Sequence, residues 1–386
     1  MKGRYSTFSQ EEYDNRAARA MDLMKASKID ALLVTAEMNY SYFTGHRTHS
    51  AWSTFTRPHV FVLTRDGKST MITHSFTRPE AESRSWIETI VEYGSLVGDA
   101  VPEIKNTLKN LGLAGATIGC ELGYEQRLGL PQLAWLEIQK AFPKASFVDA
   151  SGLLWDLRVK KSDAEIDCLR RACRATSKAF EECYSQIGKG STEEDAARIM
   201  SKAMLDEGAE SPGFNIICSG KENYERISAR PTNRALEDGD LIWIDASAVV
   251  EGYWSDFCRV AVVGGPNQEQ IRLQKIVRET TEAAIEIIKP GVPVKAVAEM
   301  CAKVMGSYGF DLSFDAGRCG HGIGLMSTEP PHIATYDESV LEEGMVITVE
   351  PGIVNEEGVF VIEENVAVTG DGFEVLSGAS REIYTI

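Results

Sequence analysis

Nowhere in this sequence do 18 apolar residues run together, and the N-terminal stretch MKGRYSTFSQEEYDNR is polar, without the apolar core of a signal peptide. The expectation is therefore a cytoplasmic protein, neither membrane-spanning nor secreted by that route. CxxC and other paired cysteine spacings are also lacking. The eight cysteines (Cys120, Cys168, Cys173, Cys183, Cys218, Cys258, Cys301 and Cys319) are scattered, several at apolar helical positions, and read as reduced thiols. Positive charge is short too. With 40 Lys and Arg against 57 Asp and Glu, the net charge of -17 leaves no basic face for a polyanion, and nucleic acid is not an expected partner.

What is present is enough apolar sequence for two cores, since 386 residues exceed what one core usually serves. Ser9-Gln10-Glu11-Glu12 has the form of a capped helix start, followed by an amphipathic run to about Lys28 and an apolar strand from Ala31 to Thr35. A strand pair turning at Asp66-Gly67, helices over 98–113 and 131–142, and a strand from Ala116 to Cys120 complete an alternating α/β domain. Near Val159-Lys160-Lys161 the pattern changes, and Ser162 with Glu165 forms a capping-box signature for a long helix to about Gln186. The predicted domains are residues 1–158 and 159–386.

The second domain carries a weak internal repeat. Ile187, Gly190, Ala197, Lys202, Met204 and Gly208 recur 101 residues later as Ile288, Gly291, Ala298, Lys303, Met305 and Gly309. Each copy sets a glycine turn before a helix and is followed by strand formers, which suggests two similar α+β halves. Two copies are too few for a solenoid.

Acidic residues sit in matching places in both halves. Asp240 to Val263 reads as two strands joined near Val250-Glu251-Gly252, and the midpoint between Asp245 and Asp256 falls in that turn, so a tight hairpin would set the two aspartates face to face. Met345 to Glu350 and Val359 to Val366 form a second predicted hairpin around Asn355 to Gly358, with Glu350 and Glu363 symmetric about the turn. Like charges opposite one another in apolar surroundings repel, and a bridging cation gives a fold reason to keep them. His321 lies in the Gly-rich stretch Cys319-Gly320-His321-Gly322-Ile323-Gly324, where small neighbours let an imidazole approach a metal. Four carboxylates and one imidazole make an oxygen-rich set suited to two divalent ions, Mn, Fe, Co or Zn, that share a water.

These segments (IDASAVVEGYWSD, GHGIG, GMVITVEPGI and VIEENVAVT, in that order) resemble the pita-bread family of methionine aminopeptidase, aminopeptidase P, prolidase and creatinase. STFSQEEYDNRAARAMDLM is similar to the N-terminal domain of the prolidase and creatinase branch. The fold implied is α+β: a pita-bread catalytic domain with a pseudo-twofold repeat, preceded by a smaller α/β domain of creatinase/prolidase type. The resemblance makes Asp245, Asp256, His321, Glu350 and Glu363 the ligands of two divalent ions, and Glu350 also the base that helps activate water. Phe55-Thr56-Arg57-Pro58 resembles the creatinase segment whose Phe and Arg enter the partner subunit and bind the substrate carboxylate, which implies a homodimer.

Two places depart from the peptidase pattern. Thr328 in TEPP stands where those enzymes carry a histidine seven residues after the ligand histidine, and Ser228 or Ala229, before Arg230-Pro231, stands where they carry another. No histidine occurs between His74 and His321 to substitute locally. Candidate replacements as proton shuttle are Tyr253, His332, or a partner's His46, His49 or His59, and Phe55, Arg57, Arg230 and Thr328 form the candidate substrate-binding set. The resulting expectation is a dinuclear metal hydrolase that cleaves a C–N bond in a dipeptide or modified amino acid bearing a carboxylate, without strict peptidase activity being implied. The alternatives are a metal-dependent lyase of the dimethylsulfoniopropionate type and a non-catalytic pita-bread binding module.

Overall fold

The computed structural model describes residues 2–48, 57–94, 99–312 and 317–386. It divides into two compact units, Met1–Arg158 and Val159–Ile386.

The first unit is built on a mixed sheet of β1 (Ala31–Val34), β2 (Val60–Thr64), β3 (Ser69–His74), β4 (Ile90–Tyr93), β5 (Thr117–Cys120) and β6 (Ser146–Asp149), in the order β4-β3-β2-β1-β5-β6. Only the neighbours β1–β2 and β2–β3 are antiparallel, and the β2–β3 turn uses Gly67 at φ +88. Helix α1 (Gln10–Ala26) is capped by the Ser9 hydroxyl, which accepts the Glu12 N–H. Helices over Val101–Asn110 and Gln132–Ala141 bury Ile104, Leu108, Trp135 and Ile138 against the apolar face of the sheet.

The second unit consists of two halves of like construction. In the first, α2 (Asp163–Gln186) starts at the capping box of Ser162 and Glu165, and α3 (Glu193–Asp206) follows. These cover a sheet of β7 (Ser211–Ser219), β8 (Leu241–Val250), β9 (Tyr253–Trp254), β10 (Phe257–Val262) and the C-terminal β18 (Tyr384–Thr385). In the second half, α4 (Gln268–Ile285) and α5 (Val294–Ser307) cover β11 (His321–Gly322), β12 (Glu329–His332), β13 (Val346–Val349), β16 (Glu364–Val368) and β17 (Phe373–Val375). The hairpin β14 (Gly352–Asn355) and β15 (Gly358–Val361) extends from β13 and β16.

The 101-residue repeat is visible in the backbone. Helices α3 and α5 begin and end at corresponding positions. The preceding glycines, Gly190 and Gly291, take φ +88 and +89, a left-handed turn that disfavours any side chain. Each donates its N–H to an equivalent carbonyl, Leu236 and Leu341 respectively, at 2.8 Å. All eight cysteines are free and buried, consistent with apolar packing positions.

Candidate metal centre

Asp245 lies on β8, and the path back to Asp256 is set by a two-residue turn. Glu251 and Gly252 both have positive φ, 53 and 85, the conformation of a tight hairpin whose twist suits its strands. Val250 is thereby opposite Tyr253, and the register continues so that Asp245 faces Cys258. The face-to-face placement of Asp245 and Asp256 expected from the sequence is thus corrected by two residues. Asp256 sits diagonally from Asp245 between β9 and β10, and alternation keeps both side chains on one face.

The second hairpin has the expected register. Val349 is opposite Glu364 on one side of the break and Gly352 opposite Val361 on the other, which sets Glu350 against Glu363. Asn365 then ties the hairpins together: its Oδ1 accepts the Asp256 N–H at 2.9 Å while its Nδ2 donates to the Asp256 carbonyl. Arg259, fully buried, donates to the Glu363 carbonyl and to the Glu364 carboxylate, both at 2.8 Å.

His321 enters from the short strand β11. Its Nδ1 lies 2.9 Å from the Gly322 carbonyl, which can only accept, so the ring proton is on Nδ1 and the Nε2 lone pair is free. That lone pair faces Asp256 Oδ2 at 3.7 Å and Glu350 Oε1 at 3.8 Å. One donor atom from each of Asp256, His321 and Glu363 lies within 4.8 Å of the others.

The electrostatics of this arrangement call for a cation. Burial pushes Asp245 up to about 7 and, together with the Asp245 charge, Glu350 up to about 8. Burial and the neighbouring carboxylates hold Asp256 and Glu363 well above the ordinary range. His321 is pushed down to about 3 by burial and then by Arg318, so it stays neutral. Asp245 Oδ1 and Glu363 Oε1 are buried without a hydrogen-bond partner. Buried acceptors that converge on one another with no donor between them are costly, and a divalent ion satisfies them while displacing protons. The residues present therefore fit the metals.

The remaining candidates are placed as follows. His332 is paired with His321 across the β11–β12 ladder, and its Nδ1 accepts from Arg318 Nη1 at 3.0 Å. Thr328, half-buried, precedes β12. Tyr253 is engaged elsewhere, its hydroxyl donating to Glu165 Oε1 at 2.7 Å beside the start of α2. Ser228 and Arg230 are exposed on a surface loop. In the first unit Arg57 is half-buried before β2. His46 and His59 are buried there with ring centroids 5.2 Å apart, bonded to Tyr40 and Thr73, and burial lowers them to about 4 and about 3. Two such neutral, packed imidazoles are core residues of that unit. Phe55 and His49 lie outside the described residues. Arg318 and Asn365 were not singled out by the sequence; the position of Arg318, three residues before His321 in the same Gly-rich stretch, was the available signal.

Comparison with known proteins agrees with this geometry. Residues 167–370 match the model of metallopeptidase family M24, and residues 16–160 match that of the creatinase/prolidase N-terminal domain. The chain is 29% identical over 369 residues to an Xaa-Pro dipeptidase of Pyrococcus furiosus, covering 95% of this chain and 99% of that one. An Xaa-Pro dipeptidase of Pyrococcus horikoshii is 34% identical over 248 residues, 64% of this chain and 70% of its own. The crystal structure of an X-Pro aminopeptidase from Thermotoga maritima superposes with a TM-score of 0.82 at 28% identity, covering 96% of this chain and 99% of that one. Among the described residues no helix is long and apolar enough to cross a membrane.

Proposed function

The chain belongs to metallopeptidase family M24 and is a metal-dependent hydrolase, and from that premise we propose that it cleaves the C–N bond of a dipeptide or a similar small substrate bearing a free carboxylate. The cofactor is a pair of divalent metal ions of open identity, and Asp245, Asp256, His321, Glu350 and Glu363 are proposed to hold it. The observation that carries the reading is the convergence of Asp256, His321 and Glu363 on one point, with Asp245 Oδ1 and Glu363 Oε1 buried and without a hydrogen-bond donor.

When bound, the ions polarise the scissile carbonyl and lower the pKa of the attacking water. Glu350 takes a proton from that water as its oxygen bonds to the carbonyl carbon. The C–N bond breaks, and the leaving nitrogen takes the proton that Glu350 accepted from the water, for which His332 is the nominated shuttle. Its Nδ1 is occupied as an acceptor by Arg318, so the neutral ring carries its proton on Nε2. Tyr253 is left out of this reading because its hydroxyl is engaged by Glu165.

Relatives named Xaa-Pro dipeptidase support a dipeptide substrate, while Ser228 and Thr328 leave proton transfer to other groups than in an enzyme with histidines there. The lyase and binding-module alternatives are not favoured, since Asp256, His321 and Glu363 form a cluster that could hold a metal and the relatives are named as peptidases. The same reading carries a cytoplasmic homodimer in which Phe55 and Arg57 serve the partner's site, supported by the match to the creatinase/prolidase N-terminal domain. The test is turnover with Mn, Co, Fe or Zn of Xaa-Pro dipeptides, creatine-like compounds and dimethylsulfoniopropionate in parallel. Cleavage of dipeptides is expected; elimination from dimethylsulfoniopropionate with no hydrolysis of the others would overturn the proposal.

A further inference from the structure

Among the described residues, Arg318 is the cation whose charge reaches several members of the metal centre at once. Its charge is felt at Asp256, at Glu350 and at His321. It is half-buried, yet among the described residues its guanidinium has a single hydrogen-bond partner, His332 Nδ1 at 3.0 Å, and no carboxylate within ion-pair distance. A guanidinium carries five N–H donors, and one is spent. A partly desolvated cation with unused donors is costly unless something pairs with it.

The charge balance says what that partner is. Four carboxylates and two divalent ions cancel, with His321 neutral, so among the described residues the ligand set has no carboxylate charge left over for Arg318. The missing partner is an anion, and the planar fork of a guanidinium fits a carboxylate through two parallel hydrogen bonds. The fork is also held in place. His332 fixes one arm, the His332 backbone N–H donates to Asp337 Oδ2 at 2.8 Å, and the β11–β12 ladder sets His332 against His321. The anion position is therefore tied by the backbone to the metal-binding histidine. Arg230, the alternative within this unit suggested by the sequence, is exposed.

We propose that Arg318, oriented by His332, is the residue that anchors the free carboxylate of the substrate beside the metal centre. The inference rests on the proposed hydrolysis of a small carboxylate-bearing substrate and adds the group that recognises it. An anchor fixed relative to the metals admits substrates whose free carboxylate lies a set distance from the scissile bond, so a dipeptide is accepted and its amide or a longer peptide is not. His332 acts here as a positioning residue through Arg318.

The experiment is calorimetric binding of N-acetyl-L-proline and N-acetyl-L-prolinamide to the metal-loaded protein, with metal stoichiometry measured on every variant. The wild type is expected to prefer the acid by about 10–100-fold, the range for a hydrogen-bonded charge pair. Arg318→Gln removes that preference and leaves the amide's affinity unchanged. Arg318→Lys keeps the charge at the centre but loses the fork, so it retains metal and shows a preference reduced by about tenfold. Should Arg318→Gln lose its metal, the Lys variant decides alone. A wild type that does not discriminate acid from amide, or a Lys variant with undiminished preference, overturns the assignment. Turnover separates this from the proposed reaction: a wild type that prefers the acid but hydrolyses no dipeptide strikes the reaction and leaves the anchor standing.

Discussion

Replacing Asp256 with asparagine separates the two burdens of the centre, holding a cation and holding like charges together without one. Asp256 is 6% exposed and shares its surroundings with Asp245, Glu350 and Glu363. In metal-free protein the carboxyl is disfavoured by burial and by its neighbours, and the nearly isosteric amide relieves that cost while the Asp256 backbone stays clasped by Asn365. The metal-free variant should therefore melt no lower than the wild type. With metal the order reverses. A ligand at a hundredfold excess over its Kd stabilises a protein by about 2.7 kcal/mol. For a domain the size of the second unit, about 2–4 °C per kcal/mol converts this to a rise of roughly 5–11 °C. The wild type should show that rise on addition of Mn, Co or Zn after chelation, and Asp256→Asn should lose most of it, as read by scanning calorimetry. A metal-free variant that melts well below the wild type, with the metal-dependent rise undiminished, would refute the reasoning.

Three further outcomes follow from the geometry. In metal-free protein Asp245 titrates near 7 and Glu350 near 8, so the folded state holds more protons than the unfolded one from about pH 4 upward. That stability is fully present below about pH 4 and is lost as pH rises through the folded values; His321, held down to about 3, opposes it only below about pH 6.5, so the slope is read cleanly between about 6.5 and 8. Denaturant titrations should show stability falling across that window without metal and flattening with it, and an unchanged slope on metal loading would contradict the assignment. Tyr253→Phe removes the hydrogen bond to Glu165 and should cost about 1–2 kcal/mol of stability with kcat unchanged, whereas a hundredfold drop in kcat at unaltered stability would return Tyr253 to the reaction. Thr328→His combined with Ser228→His should raise kcat on an Xaa-Pro dipeptide by on the order of tenfold, below the usual reach of acid–base catalysis, and no gain would mean that His332 already fills the role.

Much of this centre was legible because its determinants are local. The hairpin around Asn355 to Gly358 has its turn residues in the sequence, and the register they impose sets Glu350 against Glu363. The capping box at Ser162 and Glu165 and the spacing of Gly190 and Gly291 likewise depend on neighbours a few residues away. The first hairpin was misjudged by two residues because Glu251, a residue type that seldom adopts positive φ, takes the first left-handed position of the turn and moves its axis from Val250-Glu251 to Glu251-Gly252. Asn365 could not have been found, since its contact with Asp256 bridges two hairpins 109 residues apart. The partners of Tyr253, His46 and His59 are packing outcomes of the same kind, and a hydroxyl or imidazole gives no local sign of which buried group it will meet. Arg318 was available to sequence reasoning, but its bond to His332, and the lack of an ion-pair partner among the described residues, are properties of the fold.

The most direct test of the central claim is anomalous diffraction from crystals grown with Mn or Zn, recorded at the absorption edge of the metal. Two peaks per chain are predicted, each within ligand distance of oxygen or nitrogen atoms from Asp245, Asp256, His321, Glu350 and Glu363. Peaks confined to other residues, or a chain that takes up no metal at saturating concentration, would contradict it.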